Sequence, residues 1–277
     1  MKTLSTARSH GGVQGVHSHA SDACACDMTF AVFVPPQAAE RPCPVLWYLS
    51  GLTCTHANVM DKGEYRRLAA ELGLIVVCPD TSPRGPDVPD EEDNWQFGKG
   101  AGFYVDATQQ PFARNYRMYS YVTQELPALI AENFPADMAR QGIFGHSMGG
   151  HGALTVALKN PDRFRSASAF APIVQPSTAN WSRPALEKYL GADEAAWRPY
   201  DACALVDDGA RFPGFLIDQG AADGFLDEGL KPWLFERACR EAGIPLVLNM
   251  REGYDHSYFF ISTFMDDHLR WHADRLL

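Results

Sequence analysis

The stretch "GIFGHSMGGHGAL", Gly142 to Leu154, sets one serine among glycines and histidines, directly after an apolar pair and directly before a helix-like run. Three readings compete: a tight structural turn, a phosphate-cradling loop, and a nucleophile held on a strained elbow. A phosphate loop needs Lys-Ser or Lys-Thr at the P-loop spacing, and neither follows here. Gly145-His146-Ser147-Met148-Gly149 fits G-x-S-x-G instead, with Ile143-Phe144 ahead of it and a helical pattern running on toward "KNPDRF". In such an elbow the glycines leave room for the turn, and the amino end of the following helix favours negative charge forming beside the serine. The short pattern also describes plain Gly-rich turns, so the flanking strand and helix carry the case.

Outward from the elbow, short apolar runs typical of buried strands recur as "PVLWYLS", "GLIVVCP", "QGIFGHS", "SASAFAP", "PGFLIDQG" and "PLVLNM". Helical patterns separate them: "YRRLAAEL", "YSYVTQELPALIAENF", "GGHGALTVALKN", "LKPWLFERACREAG" and "SYFFISTFMDDHLRWHADRLL". Alternation of this kind predicts an α/β fold, a mainly parallel central sheet with helices on both faces. Ahead of it, "DMTFAVFVPP" alternates and ends at prolines, and "GVQGVHSHASDACAC" supplies its partner in an antiparallel N-terminal hairpin. With no repeat, linker or low-complexity tract, residues 1–277 read as a single domain. Two stretches break the rhythm, Pro79 to Phe112 and Ala171 to Ala202. Both follow carboxyl ends of strands, where open α/β sheets bind ligands.

A serine hydroxyl is hardly ionised at neutral pH and needs a base. Of nine histidines, His256 lies between the last strand pattern and the final helix, so it projects from the same edge of the sheet as Ser147. His146 and His151 flank the elbow and read as surface or packing residues. The orienting acid belongs between Ser and His in the chain. Asp223, in "GAADGFLD", is preferred because the adjacent glycine lets its loop bend back toward His256; Asp218 is second. Asp255 adjoins the histidine, and sequence neighbours rarely face each other. The amide of Met148 and, from "WYLSGLTCT", the amide of Leu52 are the expected oxyanion donors.

Charge narrows the partners. The chain of 277 residues is 46% hydrophobic and 21% charged with a net charge of -10, which argues against nucleic-acid and anionic-membrane surfaces and leaves a small-molecule substrate as the default. No run reaches the ~20 apolar residues of a membrane span, and the start "MKTLSTARSHGG" lacks the apolar stretch of a secretory signal, so a cytoplasmic protein is expected. The seven scattered cysteines show no disulfide spacing and read as reduced thiols. His17 with His19 and Cys24 with Cys26 could gather a zinc ion across a hairpin, yet C-x-x-C and H-x3-H spacings are absent, so no metal is expected. His268 and His272 stand four apart on the last helix and read as an exposed face. "GKGAGF" lies inside a long loop rather than opening a helix, which makes it a weak dinucleotide signal. Its Lys99 is a candidate contact for an anionic substrate, and Trp181 is a further candidate near the pocket.

Several long blocks also resemble one family. "YLSGLTCT", "PDTSPRG", "FGKGAGFYVDAT", "NYRMYSYVTQELP", "FGHSMGGHGAL", "SAFAPI", "IDQGAADGFL" and "EGYDHSYFFI" closely resemble the S-formylglutathione hydrolase, or esterase D, family from about Phe30 to the carboxyl terminus. The resemblance implies an α/β-hydrolase fold and a cytosolic, commonly homodimeric thioesterase without cofactor, which turns S-formylglutathione into glutathione and formate in formaldehyde detoxification. Matched by position, it implies Ser147 as nucleophile, Asp223 as acid, His256 as base, Leu52 and Met148 at the oxyanion hole, and Cys54 close to the pocket without being the nucleophile. The chain departs from the family at Ala222, where a second acidic residue often occurs, and between Ala171 and Arg198. Competing expectations are a broad carboxylesterase or acyltransferase on the same scaffold, and a non-catalytic binding protein. The last predicts a damaged triad, whereas all three positions are filled.

Overall fold

The computed structural model describes residues 1–91 and 93–277, and its described strands form one nine-stranded sheet. They are β1 (Lys2–Ser9), β2 (Gly12–Ser21), β3 (Cys26–Val34), β4 (Cys43–Leu49), β5 (Ile75–Pro79), β6 (Ala136–His146), β7 (Phe164–Phe170), β8 (Phe215–Gly220) and β9 (Leu246–Arg251). The spatial order is β1-β2-β3-β5-β4-β6-β7-β8-β9. β2 runs antiparallel to β1 and to β3, β3 pairs antiparallel with β5, and the six strands β4 through β9 are parallel. The six apolar runs of the sequence are the six parallel strands. The predicted N-terminal hairpin is the β2–β3 pair, in register from Val13 opposite Val34 to Ser21 opposite Cys26.

Burial follows the pattern of residues. Every position of β4 and β5 is buried, as expected for strands covered on both faces, whereas β9 at the edge is mostly half-exposed. β1 had no apolar alternation to announce it. Exposed along nearly its whole length, it joins the sheet through backbone pairing with β2, closed by a two-residue turn in which His10 and Gly11 both take positive φ, 48° and 78°.

Chain order reverses around β4, which lies between β5 on one side and β6 on the other. A crevice forms at such a switch point, outside the carboxyl ends of the strands. β4 leads there into Gly51-Leu52 and β6 into Ser147. The helix Met148–Lys159 leaves from this point and is buried from Met148 to Leu158. The long Pro79–Phe112 connection folds back to brace it: the Tyr104 hydroxyl donates to the Ser50 carbonyl at 2.9 Å, and a His151 ring nitrogen meets the Phe103 carbonyl at 3.0 Å.

Candidate active site

Ser147 occupies the single residue between β6 and its helix, with φ 57° and ψ -118°. Positive φ is costly for a residue carrying a Cβ, and it persists only where neighbours impose it. Its amide donates to the Phe170 carbonyl at 2.9 Å. The flanking glycines are required sterically. A Cβ on Gly149 would overlap the Leu49 carbonyl, and one on Gly145 would overlap backbone atoms of Gly149 and Leu49. The G-x-S-x-G spacing is therefore what lets the helix start pack directly on the end of β4.

The loops after β8 and β9 are stitched together: Ala221 donates to the Arg251 carbonyl and Ala222 to that of Tyr254, both at 2.9 Å. This brings the fully buried Asp223 side chain to His256, with Oδ2 2.5 Å from Nδ1. Gln219 Nε2 donates to the same oxygen at 3.2 Å, and the Phe225 amide to Oδ1 at 2.8 Å. With its donors fixed, the carboxylate holds the ring so that Nε2 is the free nitrogen. Asp218 is engaged elsewhere, accepting from Asn249 at 2.7 Å and from Arg251 at 2.8 Å. Asp255 turns away and accepts from the Ser257 amide and hydroxyl at 3.0 and 2.6 Å.

Two amides flank the serine. Met148 is the first residue of its helix, so its N–H has no intrahelical acceptor; its side chain is buried, the thioether meeting the Phe103 amide at 3.4 Å. On the β4 loop, Thr53 donates to Gly100 at 2.9 Å and Cys54 to Gly51 at 3.3 Å, while the Leu52 amide makes no such backbone bond among the described residues. Two uncommitted donors beside a nucleophile can receive an oxyanion, and the helix amino end adds its partial positive charge.

Ser147 and His256 open on one cavity of about 300 Å³, whose lining also includes Leu52, Cys54, Trp95, His146, Trp181 and Phe225. No Asp, Glu, Lys or Arg is among its lining residues. Rings form a continuous wall, with Trp95 to Trp181 at 6.0 Å, Trp181 to Phe225 at 6.0 Å and Phe225 to His256 at 5.0 Å. Burial raises the Cys54 thiol above its ordinary pKa. Trp181 lines this cavity but Lys99 does not: its ammonium lies 3.6 Å from Asp90, whose Oδ1 also accepts the Lys99 amide.

Trp95 and Phe225 were missed because isolated aromatics in loops have no period to reveal them; the length of the Pro79–Phe112 connection was the one hint. Of the two readings of His146, surface or packing, the structure shows packing. It is buried on the cavity wall with its ring 4.4 Å from that of His256, and burial pushes its pKa well below the usual histidine value. His151 is fully buried too. The exposed-face reading of His268 and His272 is wrong: both are wholly buried, because Ser166 and Ser168 on β7 supply polar partners beneath the last helix. His17 meets Thr3, His19 meets Tyr121 and Cys24 meets Met118, and among the described residues no group of three or more potential ligands is placed to hold a metal ion.

Residues 21–271 match the esterase family described as "Putative esterase". A mouse protein named S-formylglutathione hydrolase is 54% identical over 279 residues, covering 100% of this chain and 99% of the relative. One of the same name from Paracoccus denitrificans is 54% identical over 276 residues, covering 99% and 98%. A solved structure of an S-formylglutathione hydrolase from Agrobacterium tumefaciens shares 71% identity, covers 100% of both chains and superposes with a TM-score of 0.99.

Proposed function

The chain belongs to this esterase family, and from that premise we propose that it hydrolyses S-formylglutathione to glutathione and formate, with Ser147 as nucleophile, His256 as base and Asp223 as orienting acid. The observation that carries the mechanism is the 2.5 Å contact of Asp223 with His256 at a cavity shared with Ser147. Full-length similarity to proteins of that name supports the substrate.

His256 Nε2 takes the Ser147 proton as Oγ bonds to the thioester carbon. The Leu52 and Met148 amides hold the resulting oxyanion, and Asp223 stabilises the imidazolium. Collapse breaks the carbon–sulfur bond, and the departing sulfur takes the proton from Nε2 to leave as glutathione. Water, deprotonated by the same nitrogen, then attacks the formyl ester and releases formate, restoring Ser147. The uncharged aromatic wall suits the thioester end of the substrate, with the charged ends of glutathione at the rim. Seven free cysteines support the cytoplasm as the compartment. No helix among the described residues is long and apolar enough to cross a membrane. A homodimer is expected from the family resemblance, and light scattering of the purified protein tests it.

Steady-state kinetics on S-formylglutathione, S-acetylglutathione and 4-nitrophenyl acetate test the proposal. A formyl carbon bears only hydrogen, so a tight acyl pocket excludes acetyl by clash and displaces the oxyanion from its donors. We expect kcat/KM to favour formyl by at least about 10²-fold, and Ser147→Ala to lose roughly 10³-fold or more in turnover. Equal efficiencies on both thioesters, or the aryl acetate as best substrate, would move the assignment to a broad carboxylesterase.

A further inference from the structure

A chain of wholly buried polar side chains, Asp218, His268, Ser168, His272 and Ser166, crosses the packing between sheet and last helix without lining the cavity. His268 Nε2 faces Asp218 Oδ2 at 3.8 Å. His268 Nδ1 meets Ser168 Oγ at 2.8 Å, the same oxygen meets His272 Nε2 at 2.9 Å, and His272 Nδ1 meets Ser166 Oγ at 2.6 Å. Room for the last contact exists because residue 142 is glycine: a Cβ there would press on both Ser166 Oγ and His272 Nδ1.

Hydrogen-bond arithmetic gives this chain one direction. A serine hydroxyl has one proton to donate, and the two imidazoles are the only partners of Ser168 Oγ among the described residues, so its proton is satisfied only where Ser168 accepts from one ring and donates to the other. A carboxylate can only accept, and a bare ring nitrogen facing it in a wholly buried site would be repelled. His268 therefore carries its proton on Nε2, toward Asp218, and Nδ1 accepts from Ser168. Ser168 in turn accepts from His272 Nε2–H, and His272 Nδ1 accepts from Ser166. Burial lowers the pKa of both rings, in keeping with neutral imidazoles. Asp218 is balanced by Arg251 and Asn249 rather than by a histidine cation.

The chain ties together the elements on which the site depends. Asp218 is on β8, five residues before Asp223, and its partners Asn249 and Arg251 are on β9, just ahead of His256. His268 and His272 are on the helix Tyr258–Leu276 that begins two residues beyond His256. Ser166 and Ser168 are on β7, whose last residue, Phe170, stacks on His268 at 3.7 Å and accepts the Ser147 amide through its carbonyl.

We propose that Asp218, acting through His268, Ser168 and His272, is a positioning residue: its electrostatic contact with His268 at 3.8 Å orients a one-way hydrogen-bonded chain from His268 to Ser166, which sets the registry of β7, β8, β9 and the last helix, and so the approach of Asp223, His256 and Ser147. The proposal rests on the serine-hydrolase reading of the cavity.

Nitrogen-15 NMR of the histidine rings in the full-length wild-type protein tests the chain directly, with no reliance on activity. Both His268 and His272 appear as neutral Nε2–H tautomers throughout the neutral pH range; an Nδ1–H tautomer or a charged ring in either overturns the proposal. Ser168→Ala cuts the chain at its centre, and Asp218→Asn removes the anion that orients it. Each lowers kcat roughly tenfold while KM changes less than about twofold, since misplacing reacting groups by a fraction of an ångström acts on turnover. The same factor appears on S-formylglutathione and on 4-nitrophenyl acetate. A folded Ser168→Ala enzyme that loses thermal stability but keeps wild-type kcat refutes the positioning role. Failure to turn over S-formylglutathione, with aryl-ester turnover intact, would strike the proposed substrate alone.

Discussion

His256 Nδ1 and Asp223 Oδ2 lie 2.5 Å apart although 33 positions separate the two residues, and the second oxygen of Asp223 is held by the Phe225 amide. The carboxylate is thus committed to one ring orientation. Asp218, equally buried, spends its oxygens on Asn249 and Arg251. Asp223→Asn should cost roughly 10³-fold or more in kcat, because the amide stabilises neither the tautomer nor the imidazolium, whereas Asp218→Asn costs only about tenfold by loosening registry. Side-by-side kcat values for the two purified variants check this; the reverse order would assign the acid to Asp218.

Cys54 lines the cavity two residues past Leu52. Alkylation there adds bulk to the cavity without touching Ser147. A maleimide should inactivate the wild type, slowly because burial raises the thiol pKa and the thiolate is the reactive form. Cys54→Ser should stay active and become resistant. A folded but inactive Cys54→Ser would give the thiol a chemical role instead.

Acid should destabilise the fold through its buried histidines. In the folded chain burial lowers His151 from 6.5 to about 4, and His146, His268 and His272 are displaced in the same direction. Between those values the unfolded chain binds the proton and the folded chain refuses it, so stability is complete above 6.5 and falls as the pH drops toward 4. For His151 alone the loss is about 3 kcal/mol. Urea unfolding at a series of pH values measures the slope. The variant His151→Asn should show a shallower one, and equal slopes would remove His151 from the account.

The sequence by itself determined the six parallel strands, their helices and the elbow at Ser147. Such features depend on near neighbours: uninterrupted apolar runs for strands buried on both faces, and glycines at Gly145 and Gly149 where only hydrogen fits beside the backbone. Chain order narrowed the acid to two aspartates, and composition kept nucleic acid out of the account. Tertiary structure alone decided what depended on distant partners. It drew Asp223 rather than Asp218 to His256 through hydrogen bonds between two loops. It buried His268 and His272 because serines on β7 satisfy them, and it gathered Trp95, Trp181 and Phe225 into one wall while pairing Lys99 with Asp90. A polar side chain's place depends on whether a partner awaits it inside, and that partner is set by the packing of elements far apart in the chain.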